Sequence, residues 1–255
     1  MIALDAPARW RGLAVFAGLV LVWWGVTALG VPPYMLPSPP GVAVALWVGR
    51  DTLLHHTLIT ATEVALGLVF GVGLGAGLAL AMAGSPAFGR WATPVVVVSQ
   101  AIPVFAIAPL LVLWLGFGLP SKVTMATLVI FFPVTATFLD GLRRTEPGWL
   151  ELARTMGATP PRQLRHIRLP AALPAFGSGL RVAAAVAPIG AVIGEWVGSA
   201  GGLGYVMLNS NARLQTDTCF AALFILCCMA VGLWRLVDIG LRRLLYWVPD
   251  AGGPF

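Results

Sequence analysis

Long apolar runs separated by short polar segments dominate the chain. No charged residue occurs at positions 12–49, 64–89 or 91–121, which gives runs of 38, 26 and 31 residues. A membrane-spanning α-helix needs about 20 predominantly apolar residues. The pattern therefore predicts an all-α polytopic membrane protein, since a β-barrel would show short segments of alternating polarity instead.

Turns and charges divide these runs into about six predicted transmembrane helices. The six spans cover residues 13–30, 58–83, 91–115, 123–139, 176–197 and 218–240. Residues 37–56 predict a turn followed by an amphipathic helix at the outer interface. Span two carries glycines at spacings of four, which predict close packing against another helix. These glycines are Gly67, Gly71, Gly73, Gly75 and Gly77.

Span three is interrupted by Pro94, Pro103 and Pro109. Each proline removes a backbone hydrogen bond, and such a break persists in a bilayer only where protein or a wet cavity covers it. We therefore expect Gln100 and Pro103 to line a translocation pathway. The alternative is an ordinary packing kink.

Ionisable residues inside spans are expensive and usually face a partner or water. Span two carries Glu63 and span five carries Glu195, both near their outer ends, and we expect both carboxylates to line the pathway. Arg181 at the inner end of span five can instead extend to the headgroups. The outer loop at 198–217 is rich in glycine and amides and predicts a flexible segment for gating or partner contact. Its candidate residues are Tyr205, Asn209 and Asn211.

Composition supports a membrane protein, and the charge distribution orients it. Hydrophobic residues make up 58% of the chain and charged residues only 10%, against roughly 25% in soluble domains. The net charge of +6 is compatible with nucleic-acid binding. However, six spans with both termini inside put eleven basic residues on the inner side and three on the outer side, as expected for a membrane protein.

The sequence therefore predicts a multi-pass protein of the bacterial inner membrane, with both termini cytoplasmic and no nucleic-acid partner. The inner basic residues are Arg9, Arg11, Arg90, Arg143, Arg144, Arg154, Arg162, Arg165, Arg168, Arg242 and Arg243, and the outer ones are Arg50, Lys122 and Arg213. The apolar run near the N-terminus is longer than the apolar region of a signal peptide, and predicts an uncleaved first span.

The polar segment Arg143–Pro170 lies between spans four and five and holds six arginines and two glutamates. Residues 151–159 favour a short helix that Gly157 can end, and residues 162–167 favour a second one. Trp149, Leu152 and Met156 recur at helical spacing and form an apolar stripe. This pattern predicts a cytoplasmic docking element that fits a groove on another protein.

The same segment resembles the coupling loop, or EAA loop, of the inner-membrane permeases of ABC importers. That loop has the form Glu-Ala-Ala, three residues, Gly, nine residues, Ile-x-Leu-Pro. The chain has Glu151-Leu152-Ala153, Gly157 and Ile167-Arg168-Leu169-Pro170 at the same spacing, with Leu152 as the one departure. The motif Gly201-Gly202-Leu203-Gly204-Tyr205 also looks like this family, and the resemblance extends over residues 57–246.

The resemblance implies a type I ABC importer permease with a MetI-like fold, working as a pair of identical copies in membrane lipid. Two cytoplasmic ATP-binding subunits would grip the loop through Glu151, Ala153, Gly157, Ile167, Leu169 and Pro170. A periplasmic or lipid-anchored solute-binding protein would deliver the solute. The chain has no Gly-Lys-Ser/Thr phosphate loop, so ATP chemistry must come from a partner, and we predict neither enzymatic activity nor a cofactor.

Residues 194–198 and 209–217 look most like the sulfonate, nitrate and thiamine-precursor branch of this family. Within it, the resemblance favours a pyrimidine thiamine precursor as the solute, with sulfonate, taurine or nitrate as alternatives. An ion-coupled secondary carrier that uses Glu63 and Glu195 is the alternative class, although the two halves show no inverted repeat. The predicted division of the chain is an N-terminal part at 1–56, a permease core at 57–246 with the coupling loop at 143–170, and a cytoplasmic tail at 247–255.

Overall fold

The computed structural model describes residues 6–248, apart from the side chains of residues 6–9, 11, 13 and 100. All regular structure in that range is helical, which confirms the predicted all-α class. The helices are α1 (Ala6–Ala28), α2 (Pro39–Val48), α3 (Arg50–Gly84), α4 (Pro86–Ala101), α5 (Val104–Leu115), α6 (Leu119–Arg143), α7 (Pro147–Thr155), α8 (Pro160–Gln163), α9 (Leu169–Gly198), α10 (Leu203–Ala212) and α11 (Thr216–Leu244), with a π-helical turn at Leu164–Arg168 between α8 and α9.

Four described helices are long and apolar enough to cross a membrane: α3, α6, the continuous helix Pro160–Gly198 and α11. The pair α4 and α5 makes a fifth candidate when it is counted as one bent span. Among the described side chains, the apolar part of α1 is Ala14–Ala28, which is shorter than a span. The polytopic fold is thus confirmed, and the first of the six predicted spans stays a prediction.

Span three is bent far more sharply than the sequence predicts, and at one proline instead of three. Its two halves, α4 and α5, meet at 99° around Ile102 and Pro103. Pro94 and Pro109 lie inside α4 and α5, and neither breaks its helix. At Pro103 the backbone is extended, with φ −61° and ψ 117°, so the helical ladder stops there.

The core forms where α6 packs between α3 and α9. Two buried clusters join Val64 and Ala79 of α3 to α6 and α9. Glycines permit the close approach, as their spacing predicts for α3: Gly67, Gly71 and Gly75 face α6. On α9, Gly190 and Gly194 permit the same close approach to α6. Gly73 and Gly77 face open space and are not part of this contact.

This division of the glycine series predicts opposite effects for two alanine substitutions. A Cβ at Gly71 would lie 2.6 Å from Ile130 Cγ2, whereas a Cβ at Gly73 meets nothing within 4 Å. Overpacking a core costs about 1–3 kcal/mol, while alanine is favoured over glycine in a helix by about 1 kcal/mol. We expect Gly71→Ala to lower the thermal unfolding midpoint in detergent and Gly73→Ala to leave it unchanged or raise it. Equal unfolding midpoints for the two variants would contradict tight packing of α3 against α6 at Gly71.

Two predicted elements at the α2–α3 end differ from the structure. The predicted interfacial helix ends at Val48, and residues 50–56 belong to α3, so the predicted boundary at 56/57 falls inside one continuous helix. Ser38 caps α2 through its hydroxyl, which accepts from the Gly41 N–H. The predicted flexible loop 198–217 contains a further helix, α10, whose Leu203 and Val206 are buried in a cluster with α2, α3 and α11.

Candidate functional site

The polar segment Arg143–Pro170, the coupling segment, begins as the spacing predicts, with a short helix and a tight turn, and then continues into a return helix. Helix α7 ends in a paired cap in which the Ala158 N–H donates to the Ala153 carbonyl and the Gly157 N–H donates to the Arg154 carbonyl, both at 2.9 Å. Such a cap requires a left-handed residue after the helix. Gly157 supplies it with φ +77°.

The apolar stripe of α7 is uncovered. Exposed fractions are 53% for Trp149, 62% for Leu152 and 79% for Met156. Glu151 is exposed next to this stripe, whereas Ala153 on the other face is buried. The helix therefore packs on its own protein through small Ala153 and presents large apolar side chains outward, which is the arrangement a partner groove needs.

The return part of the loop differs from the prediction of a separate second helix. Residues Pro160–Gly198 form one continuous helix, so the segment that enters the membrane also carries the end of the loop. Gln163 is buried, and its Nε2 donates to the Ala158 carbonyl at 2.8 Å, which ties the turn to this helix. Ile167 and Leu169 are half-buried and Pro170 is exposed. Movement of the loop would therefore be transmitted directly to span five.

A second polar site lies at the opposite end of α3, α6 and α9 and brings three charged side chains together. Lys122 Nζ lies 3.0 Å from Glu63 Oε1, with side chains only 10% and 1% exposed. That distance makes an ion pair, but neither Glu63 oxygen accepts a hydrogen bond with good geometry from the described residues. Glu195, also buried, lies close enough to interact with both charges.

Glu195 and two α3 side chains hold the N-terminus of α10. The N–H of Gly204 donates to Glu195 Oε2, that of Leu203 to Thr60 Oγ1 at 2.8 Å, and that of Gly202 to His56 Nδ1 at 3.0 Å. The Thr60 hydroxyl in turn donates to Glu195 Oε1 at 2.6 Å. The first N–H groups of a helix have no partner within it and attract negative charge. The carboxylate therefore caps α10 from another span.

This arrangement explains the glycines of the Gly201-Gly202-Leu203-Gly204-Tyr205 motif. Gly202 has φ +110°, and a Cβ there would collide with the Glu195 carboxylate. A Cβ at Gly204 would lie 2.8 Å from Glu195 Oε2. Both positions need glycine because the carboxylate approaches the backbone directly.

The structure brings together only some of the predicted pathway residues. Glu63 and Glu195 share the buried cluster, and the ring of Tyr205 lies 5.8 Å from that of His56. Asn209 is half-buried and donates to the Tyr205 carbonyl, while Asn211 is exposed at the end of α10. Pro103 is exposed at the bend, apart from the cluster, and the side chain of Gln100 lies outside the described ones.

Three residues of the cluster were not among the predicted site residues: Lys122, Thr60 and His56. The charge count places Lys122 among the outer basic residues. It is the only lysine of the chain, and this was the one sequence feature that distinguished it from the other cations. Thr60 and His56 lie one and two helical turns before Glu63 on α3. That spacing places them on one face.

Arg181 also differs from its predicted role at the headgroups. Its Nε donates to Asp238 Oδ1 at 2.7 Å, and Asp238 Oδ2 accepts from Arg242 at 2.8 Å. The arginine therefore joins α9 to α11 through a carboxylate. No local pattern indicates this pair, because its members lie 57 residues apart in the chain.

Comparison with known proteins agrees with the coupling-loop motif. The family model described as "Binding-protein-dependent transport system inner membrane component" matches residues 71–244. A probable ABC transporter permease protein of Haemophilus influenzae is 49% identical over 93% of this chain and 98% of its own length.

Several relatives carry names that state a solute, and two of them are more than 35% identical to this chain. A formylaminopyrimidine transport permease protein of Halalkalibacterium halodurans is 36% identical over 85% of this chain and 88% of its own length. A riboflavin transport system permease protein of Chloroflexus aurantiacus is 38% identical over 92% of this chain and 90% of its own length.

Solved structures show the same fold. An inward-facing form of the MetNI methionine ABC transporter superposes with a TM-score of 0.60 at 20% identity, covering 78% of this chain and 97% of the matched chain. The MetI-like fold is therefore confirmed. The family match sets aside the ion-coupled carrier, and it assigns ATP hydrolysis to a separate ATPase subunit. The chain belongs to the binding-protein-dependent inner-membrane components, and it is the non-enzymatic permease subunit of a type I ABC importer.

Proposed function

We propose that two copies of this chain form the translocation pathway of an importer for a pyrimidine thiamine precursor. A solute-binding protein delivers the solute from outside, and two cytoplasmic ATPase subunits drive uptake. Both termini and the coupling segment lie in the cytoplasm. The observation that carries the proposal is α7, a capped helix with an exposed apolar stripe at the predicted place between two spans.

Energy passes from the ATPase to the membrane by contact in this proposal. The ATPase grips Glu151, Gly157 and the stripe of α7. Ile167, Leu169 and Pro170 lie on the continuous helix Pro160–Gly198, so a displacement of the loop tilts span five with it. ATP can drive this step only to the extent that it binds the closed ATPase pair more tightly than the open one.

The buried cluster of Glu63, Lys122, Glu195, Thr60 and His56 then connects α10 to the moving spans. Because Glu195 lies on the same long helix as the coupling segment, a tilt of that helix acts directly on the Gly204 N–H contact. It also acts on the Leu203 N–H contact through the Thr60 hydroxyl, which donates to Glu195. The bend at Pro103 offers a second place where span three can change direction. Glu63, Gln100, Tyr205, Asn209 and Asn211 complete the proposed pathway wall.

The identity of the solute is supported by the named relatives. Of the two that are more than 35% identical, one is named for formylaminopyrimidine and the other for riboflavin, and both solutes are heteroaromatic. The relatives named for aliphatic sulfonates, taurine and choline are 29–32% identical. Riboflavin is the second candidate, because the relative named for it is about as similar to this chain as the one named for formylaminopyrimidine, at 38% against 36% identity. Sulfonate, taurine and nitrate are the remaining candidates, and they differ from both in being small acids or anions.

Uptake by the complete importer decides among these solutes. The chain is expressed together with its ATPase and solute-binding protein, and membrane vesicles are assayed with labelled formylaminopyrimidine. We expect ATP-dependent uptake that excess unlabelled formylaminopyrimidine suppresses and taurine or nitrate does not. Uptake of labelled riboflavin without uptake of labelled formylaminopyrimidine would move the assignment to the flavin. Uptake that survives ATP depletion would contradict the coupling mechanism.

A further inference from the structure

A cavity of about 550 Å³ opens at the coupling-segment end of the bundle, between α3, α4, α6 and the π-helical turn. Three of its lining residues are arginines: Arg90, Arg143 and Arg168. No acidic side chain of the described residues lines it, and none of the three forms an ion pair with a carboxylate within residues 6–248. The cavity therefore concentrates positive charge that no carboxylate of the described residues balances.

The helix ends around the cavity fix this charge in place. Arg168 Nε donates to the Leu142 carbonyl at 3.0 Å, and its Nη1 donates to the Ala83 carbonyl at 3.3 Å. The guanidinium thus caps the C-terminal carbonyls of α6 and α3. The cavity wall also includes Pro86 at the first turn of α4, and the N-terminus of a helix adds partial positive charge.

Beyond Arg90, toward its C-terminal end, α4 carries an exposed apolar strip. Arg90, Pro94, Val97 and Ala101 follow one another at spacings of three and four on one helix face, and all four are exposed. Val97 is 58% exposed. Arginines at one end of an apolar strip fit a molecule with an anionic head and a hydrocarbon tail. A small soluble anion would use the arginines and leave the strip without a ligand.

We propose that this arginine cavity binds the phosphate of an anionic phospholipid from the inner leaflet, with the acyl chains along α4. The inference rests on the proposed cytoplasmic orientation of the coupling segment. Basic pockets between transmembrane helices on the cytoplasmic side recognise such headgroups. Arg168 belongs to the coupling segment. A lipid bound in the cavity therefore contacts the end of the loop that the ATPase moves.

Lipid binding to the full chain tests the proposal. The chain is purified in detergent and titrated with phosphatidylglycerol, phosphatidylcholine and inorganic phosphate, and bound lipid is counted by native mass spectrometry. We expect phosphatidylglycerol to bind in preference to phosphatidylcholine, and inorganic phosphate to compete only weakly. Each of Arg90→Gln and Arg143→Gln is expected to weaken phosphatidylglycerol binding about fivefold, the factor that roughly 1 kcal/mol per basic residue produces.

Arg243→Gln is the matched control, because Arg243 is an exposed arginine at the same end of the bundle and does not line the cavity. Arg168 is left unchanged, since its contacts hold two helix ends. Equal losses in the Arg243→Gln variant would overturn the proposal, as would equal binding of the two lipids or strong competition by free phosphate. Loss of ATPase co-purification in the Arg90→Gln/Arg143→Gln variant with lipid binding intact would make the cavity a protein contact instead. No readout depends on the transported solute, so failure of the uptake assay leaves the lipid result interpretable.

Discussion

Replacing Gly157 with aspartate is expected to separate the permease from its ATPase while the helical bundle stays intact. A Cβ at Gly157 meets no described atom within 4 Å, so the new side chain causes no clash within the chain. A non-glycine residue at φ +77° costs about 1–3 kcal/mol, and this strain is confined to the cap of α7. The ATPase groove, by contrast, would have to close over a charged side chain beside an apolar stripe.

We expect ATPase co-purification and ATP-dependent uptake to fall by about tenfold or more, the factor that 1.4 kcal/mol of lost binding energy produces. Membrane insertion and the thermal midpoint of the permease are measured in the same preparation. Gly157→Asn separates charge from backbone strain, since asparagine and aspartate both tolerate left-handed backbone. We expect its loss to be smaller than that of Gly157→Asp.

Gly30→Asp is the control for the backbone conformation. Gly30 has φ +93°, and a Cβ there also meets nothing within 4 Å, but it follows α1 at the predicted outer side. We expect normal ATPase binding in this variant. A stable, correctly inserted Gly157→Asp variant with full uptake would remove α7 as the ATPase contact.

Features that depend on local sequence were predictable here. Charge-free runs predicted the long helices, because crossing a bilayer sets a length and excludes charge. The coupling segment was also predictable from local sequence, because the cap at Gly157 needs one left-handed residue and a helical stripe needs a fixed spacing. The four-residue spacing of the α3 glycines also predicted close helix packing, which Gly67, Gly71 and Gly75 make. The same pattern wrongly included Gly73 and Gly77, which face open space.

Features that depend on long-range contacts were not predictable from these patterns. Thr60 and Glu195 are separated by 135 residues, and no local period indicates that they meet. Helix α10 was predicted to be a flexible loop because glycines and amides usually favour one. Its glycines are instead required by the Glu195 carboxylate. Counting charges per loop treats each cation as hydrated, and this assumption is wrong for Lys122.

The buried pair of Glu63 and Lys122 gives the second large expected effect. Lys122→Met keeps the length of the side chain but leaves two buried carboxylates, Glu63 and Glu195, without their neighbouring cation. Removing one partner of a buried ion pair costs about 3–5 kcal/mol. We expect a loss of this size in the free energy of unfolding, measured by reversible denaturation in mixed micelles. Asp51→Asn breaks the exposed Arg50–Asp51 pair and is expected to cost about 0–1 kcal/mol.

The double variant Glu63→Gln/Lys122→Met decides what the pair does. If the loss in Lys122→Met comes from an uncompensated buried charge, removing the second charge recovers most of the stability. A double variant as unstable as Lys122→Met would show that shape, and not charge, holds the three helices together. Uptake then tests the pathway prediction. If Glu63 serves only the packing of α3 against α6, the recovered double variant transports normally, whereas a pathway role for its carboxylate leaves a stable importer without uptake.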